Sequence, residues 1–289
     1  MKPSEFFNTD NPLTPGQIGF FEDNGYLLLK NYLTPNICRE LRDQANRLIA
    51  EFEPDSAISI FSTKNQTDTS DSYFLQSGDK IRFFFEEDAF SPDGKLKQSK
   101  AKSINKIGHA LHDLNPLFRE FSYHPQFAEI LTALGVQSPL LAQSMYIFKQ
   151  PGIGGEVSCH QDSTFLYTDP LSVIGLWFAL EDATVENGCL WAIPGAHQSG
   201  LKSRFLRITG EKTNFEIYDK SEWSSDELVP LEASQGTLVL LHGSLPHYSK
   251  ANFSSQSRHA YTIHVIDGVC SYPENNWLQR PQEMPFRGF

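Results

Sequence analysis

Three things are scarce in this sequence of 289 residues. No run of eighteen apolar residues occurs, and Met1-Lys2-Pro3-Ser4-Glu5-Phe6-Phe7-Asn8 carries no apolar core of a secretory leader. Neither a membrane-spanning helix nor a signal peptide is expected, and the cytoplasm is the expected compartment. Cysteines number four (Cys38, Cys159, Cys189 and Cys270) with no C-x-x-C pair, which argues against a disulfide framework and for free thiols in a reducing compartment. Basic charge is also short: 24 Lys and Arg stand against 35 Asp and Glu, a net charge of −11. Nucleic acid and anionic membranes are repelled on average by such a surface. A local basic patch stays open, with Lys80, Arg82, Lys106 and Lys149 as its candidates, against scattered solvated side chains. No internal repeat and no linker divides the chain.

What is present is enough apolar residue for a large core, 39% hydrophobic and 12% aromatic. A single domain over residues 1–289 is expected. Its first part, about 14–135, reads as helix-rich. Thr14-Pro15 and Thr34-Pro35 each put a capping hydroxyl before a proline at the first helical position. The second of these helices carries Ile37, Leu41, Ala45, Leu48 and Phe52 at spacings of three and four, one apolar stripe. Residues 54–79 are rich in Ser, Thr, Asp and Asn and read as a loop of the kind that covers sites. Phe83-Phe84-Phe85 reads as a buried strand, 103–114 as a helix carrying His109 and His112 on its surface, and Asn115-Pro116 and Pro125 as two more helix starts.

From about 136 to 270 the pattern changes to short strand-like runs separated by turns: 139–149, 155–162, 172–181, 189–193, 236–242, 246–249 and 258–267. Asn187-Gly188 before the fourth run suits a type I′ hairpin turn. Helices followed by many antiparallel strands predict a mainly β fold, a double-stranded β-helix or jelly roll flanked by N-terminal helices.

Within that pattern lies His160-Gln161-Asp162. On a strand, side chains two apart share a face, so an imidazole and a carboxylate here converge on one point. Alone the pair is common and reads more readily as a surface strand. His247, 85 positions after Asp162 and just past the Gly236-led apolar strand, supplies a third ligand. Two histidines and one carboxylate with open positions opposite are the donor set of non-haem Fe(II) oxygenases, and nitrogen and oxygen donors without thiolate suit Fe(II) or Mn(II). Arg258, eleven positions past His247 in an alternating run, can take the far carboxylate of 2-oxoglutarate in a bidentate fork. The expected metal ligands are His160, Asp162 and His247, which are also the catalytic centre.

The same residues resemble the phytanoyl-CoA dioxygenase family. The likeness extends from about Pro15 to Pro285, and the runs 77–86, 102–112 and 143–151 resemble one branch of that family. The resemblance implies the jelly-roll fold, Fe(II) as cofactor and 2-oxoglutarate and O₂ as cosubstrates. It further implies Lys106, Met145, Trp177 and Ser249 in the cosubstrate pocket, where composition alone reads a solvated lysine, core residues and a turn serine. It also implies that the carboxylate of Asp162, absent from related halogenases, directs the outcome to hydroxylation. His197 resembles a family turn histidine and is expected beside the site, with His242 in the core or beside the site.

The expected activity is hydroxylation of a small or medium organic molecule, with release of succinate and CO₂. Two rival readings stay open: a non-catalytic sensor binding metal or 2-oxoglutarate on the same scaffold, and an oxygenase acting on a protein. Uncoupled decarboxylation of 2-oxoglutarate separates the sensor from the enzymes.

Overall fold

The computed structural model describes residues 6–8, 13–53, 59–61, 71–209 and 212–289. Thr14 caps helix α1 (Pro15–Asn24) with a reciprocal capping box to Gln17, and Gly25 ends it in the left-handed region, φ 78°. Strand β1 (Tyr26–Leu29) follows. Thr34 then caps α2 (Pro35–Glu51), which buries Ile37, Leu41, Ala45 and Ile49, with Leu48 and Phe52 partly covered. Each fully buried aliphatic side chain of this kind contributes about 1.5–3 kcal/mol. Most of the 54–79 loop lies outside the described residues; its described end forms the one-turn helix α3 (Ser72–Leu75).

Next come β2 (Ile81–Phe85) and β3 (Ile104–His109), paired antiparallel. Here the expectation of a helix over 103–114 is corrected. All six residues of β3 are buried between β2 and β4 (Pro139–Ile147). Asn105, Lys106 and His109 face a cavity and interrupt the apolar alternation by which a strand is read. Helix covers only α4 (Leu111–Leu114), so His109 ends a strand and His112 lies on a single turn; both are buried rather than on the surface. Helices α5 (Pro116–Ser122) and α6 (Pro125–Ala133) begin where the prolines place them.

The remaining strands are β5 (Val157–His160), β6 (Ile174–Ala179), β7 (Leu190–Ala192), β8 (Ser203–Arg207), β9 (Thr213–Ile217) and β10 (Val229–Leu231). They are followed by β11 (Leu238–His242), β12 (His247–Ser249), β13 (Ala260–Asp267) and β14 (Arg287–Gly288). The one-turn helix α7 (Asp162–Phe165) follows β5. Eight strands form the larger sheet, in the order β1-β11-β6-β13-β4-β3-β2 with β14 against β4; β10-β7-β12-β5 form the smaller one. All these pairings are antiparallel. This is the jelly roll flanked by N-terminal helices that the sequence predicts. The helix-rich part also supplies β1, β2 and β3, which widen the larger sheet. Phe121 and Phe127 from the helices pack on Phe178 of β6, in one core with α2. No helix among the described residues is long and apolar enough to cross a membrane.

Candidate metal and cosubstrate site

β5 and β12 are neighbours, and His160 and His247 stand directly opposite each other, ring centroids 4.4 Å apart. Strand β5 stops at His160, so Asp162 is not on the strand as expected but opens α7. Gln161 keeps extended angles, φ −113° and ψ 134°, which preserves the convergence of the side chains on either side of it. The buried Gln161 fixes this segment through its own amide: Nε2 donates to the carbonyls of Gly200 and Ser244, and Oε1 accepts from the backbone N–H of Lys202. The turn after β11 packs on α7, where the N–H of Ser163 donates to Gly243 at 2.8 Å. A Cβ on Gly243 would sit 2.5 Å from Ser163 Oγ, so only glycine allows this approach.

Asp162 Oδ1 lies 3.6 Å from His160 Nε2 and 3.8 Å from His247 Nε2, and the three donor atoms lie within 4.8 Å of one another. One ion at first-row bond lengths of about 2 Å fits among them. The histidine tautomers fit as well. His160 Nδ1 is 2.8 Å from the Ser158 carbonyl and His247 Nδ1 is 3.0 Å from that of Leu245. A carbonyl only accepts, so each Nδ1 carries the proton and each Nε2 offers a lone pair toward Asp162. Burial pushes His247 down to about 4, which keeps it neutral. Burial alone would raise the pKa of Asp162, but the surrounding His264, His247 and His160 outweigh it, hold it well below the usual carboxylate range and keep the carboxyl ionised.

His264, on β13, was not singled out from the sequence. Its Nε2 is 3.2 Å from Asp162 Oδ2, and its Nδ1 is 3.2 Å from Gln143 Nε2. The amide can only donate, so His264 carries its proton on Nε2, the atom that faces the carboxylate. The signal was present as period two: Arg258, Thr262 and His264 all line one cavity. Gly175 makes room for this contact, because a Cβ there would lie 3.2 Å from Asp162 Oδ2.

Arg258 precedes β13 rather than lying on it, and it is 1% exposed. Its Nε donates to the Gly188 carbonyl at 3.1 Å, while Nη1 is buried with no hydrogen-bond partner. The carbonyl is presented by the turn before β7, where Gly188 has φ 86°. The expected type I′ geometry does not form there, since it needs Asn187 at positive φ as well; Asn187 instead bonds Thr184 and Asp182 through its side chain. Burial lowers Arg258 to about 10, still a cation at neutral pH, and its guanidinium lies 5.3 Å from the Trp177 ring.

A cavity of about 260 Å³ holds the three donor atoms, Arg258, and also Lys106, Met145, Trp177 and Ser249. Lys106 is 5% exposed, sits 3.1 Å from the Phe61 ring centroid and is pushed down to about 7 by burial. The four candidates for a basic surface patch do not form one. Lys149 is buried with its Nζ on the Gly155 carbonyl, Lys80 pairs with Asp79, and Arg82 lies over Tyr73. Glu86, another residue the sequence did not mark, is fully buried and accepts from Asn105 and the Gly155 N–H; burial raises it. His197 and His242 line no part of this cavity. His197 Nε2 meets the Glu22 carbonyl and the two rings pack on each other at 4.9 Å, so the expected place of His197 beside the site is corrected. All four cysteines are free.

Two imidazoles and a carboxylate on a jelly roll, with a buried guanidinium in the same cavity, define the class of iron(II)- and 2-oxoglutarate-dependent dioxygenases. The chain belongs to the phytanoyl-CoA dioxygenase (PhyH) family, whose pattern it matches over residues 21–260. It is 50% identical to a phytanoyl-CoA dioxygenase of Arabidopsis thaliana over 269 residues, covering 93% of this chain and 94% of the relative. It is 45% identical to phytanoyl-CoA dioxygenase domain-containing protein 1 of Mus musculus, covering 95% and 97%. Among solved structures, EctD from S. alaskensis, crystallised with 2-oxoglutarate and 5-hydroxyectoine, shares the fold with a TM-score of 0.64 at 18% identity, covering 95% of this chain and 86% of that one. The cofactors of this enzyme are iron(II) and 2-oxoglutarate.

Proposed function

We propose that this chain, acting as one domain, hydroxylates a small organic molecule with O₂ while 2-oxoglutarate is decarboxylated to succinate and CO₂. The observation that carries the reading is the buried, half-unpaired guanidinium of Arg258 in the cavity that also holds the three donor atoms. A charged donor left unpaired away from water costs several kcal/mol, so it calls for an anionic ligand.

His160, Asp162 and His247 would hold iron(II), which when bound supplies the activation of O₂ that no side chain can perform. The two histidines offer Nε2 because their carbonyl partners keep the proton on Nδ1. His264, with its Nε2 3.2 Å from the second oxygen of Asp162, would steady that carboxylate in one orientation. Arg258 would pair with the distal carboxylate of 2-oxoglutarate, assisted by Lys106 and Ser249, while Met145 and Trp177 wall the cavity and exclude water.

The test is succinate formed from 2-oxoglutarate with Fe(II) and ascorbate. The reading expects succinate from the wild type and none above background from His160→Ala or Asp162→Ala. No succinate from any folded, metal-loaded preparation would make the chain a binding protein on an enzyme scaffold.

A further inference from the structure

The cavity has a second polar feature, set among aromatic rings. Phe74 and Trp277 stack on each other there at 4.4 Å and 20°, and His109 stands edge-on to both, at 5.6 Å and 5.2 Å. Phe61, Phe165 and Phe215 line the same cavity. His109 is 2% exposed. Its Nδ1 lies 2.7 Å from Ser77 Oγ, and that hydroxyl lies 2.5 Å from the Phe74 carbonyl.

These two short distances fix the tautomer. Ser77 has one proton, and the carbonyl of Phe74 can only accept it. If Ser77 gave its proton to His109 instead, two oxygen lone pairs would face each other at 2.5 Å. So Ser77 donates to Phe74 and accepts from Nδ1–H of His109, and Nε2 is left as an acceptor. Nε2 has no hydrogen-bond partner among the described residues. Burial first, and then the neighbouring Lys106, His264, Arg280 and Arg82, hold His109 well below the usual imidazole range, so the ring is neutral and Nε2 stays an acceptor.

We propose that His109 selects the primary substrate: the aromatic wall of the cavity takes an apolar body bearing a hydroxyl or N–H group, whose proton His109 Nε2 accepts. This deepens the function proposed above and rests on it for the identity of the site. The chemistry required is a neutral donor on an apolar frame. An ether or ester of the same shape presents only acceptors, and would leave Nε2 unpaired or facing a lone pair.

The test uses the protein loaded with Mn(II) and 2-oxoglutarate without O₂, and two probes of nearly equal size, 4-methylphenol and 4-methylanisole. Binding is read by saturation-transfer NMR and by quenching of tryptophan fluorescence. Wild type is expected to bind the phenol about tenfold more tightly, the worth of one buried hydrogen bond. The preference should vanish in His109→Phe and survive in part in His109→Gln, which keeps an acceptor. If His109→Phe does not fold, Ser77→Ala serves instead: it frees the ring to change tautomer and should shrink the preference without emptying the cavity. Equal binding of the two probes, binding of neither at millimolar concentration, or a preference unchanged in the variants overturns the proposal. A protein that turns over 2-oxoglutarate but shows no preference defeats only the role of His109. One that prefers the phenol but makes no succinate defeats only the proposed reaction.

Discussion

His264 Nε2 faces Asp162 Oδ2 at 3.2 Å, so the carboxylate in the candidate metal set is flanked on the oxygen its histidine partners do not face. Such supporting bonds typically account for 10–100-fold in metal affinity. His264→Phe should therefore bind Mn(II) at least about tenfold more weakly while its thermal unfolding changes little. Competition with a metallochromic chelator measures this directly, and unchanged affinity would show that Asp162 needs no such support.

Arg258 should govern the cosubstrate rather than the metal. Removing a charge-assisted pair costs about 1.5–3 kcal/mol, so Arg258→Met should lower kcat/KM for 2-oxoglutarate by roughly 10–150-fold and leave Mn(II) affinity within about threefold. Arg258→Lys should recover little, because an ammonium lacks the two parallel donors. Steady-state succinate formation at varied 2-oxoglutarate gives the answer.

Lys106 carries the pH dependence. Burial holds it down at about 7 in the protein without cosubstrate, where it is partly neutral. A carboxylate arriving beside it favours the ammonium and raises that value, so 2-oxoglutarate binding takes up a fraction of a proton near pH 7–8. Affinity is then full below the lowered value and falls as pH rises through the raised one. Titration calorimetry in buffers of different ionisation enthalpy should detect this uptake in wild type and lose it in Lys106→Met.

A buried ionic clasp ties the C-terminal segment to the fold. Asp113 accepts from Arg280 at 2.9 Å, from Arg287 at 2.8 Å and from the Tyr123 hydroxyl at 2.8 Å, and Asp113 and Arg280 are almost fully buried. Burial would raise Asp113, but His112, Tyr123 and Arg280 together hold it below the usual carboxylate range. A depressed carboxyl stabilises the fold above its unfolded value near 4 and loses that contribution as pH falls toward its folded one. Asp113→Asn should cost about 3–5 kcal/mol at pH 7, and its stability should fall less steeply than wild type below about pH 4. Urea unfolding at several pH values tests both.

The candidate metal set is legible because spacing carries it: period two marks His160 and Asp162, a strand-turn-histidine run marks His247, and the fold brings their donor atoms within 4.8 Å of one another. Arg258 followed from its distance to His247. What escaped was chemistry carried by residues that face inward from a buried strand. In β3, Asn105, Lys106 and His109 line the cavity, so the segment lacks the apolar alternation of a strand and reads as a helix; of the three, only Lys106 is marked for the pocket, and that by the family resemblance. Glu86 gave no signal at all, since its burial depends on Asn105 and Gly155 arriving from elsewhere. His197 misled because a turn motif does not fix which way a ring points; here it packs on His242.

The central claim is that His160, Asp162 and His247 hold one ion that 2-oxoglutarate then joins. Anaerobic calorimetric titration of Mn(II) into the metal-free protein in the presence of 2-oxoglutarate tests it most directly. One ion per chain, lost in each of His160→Ala, Asp162→Ala and His247→Ala, is the predicted result; stoichiometric binding that survives all three substitutions would contradict it.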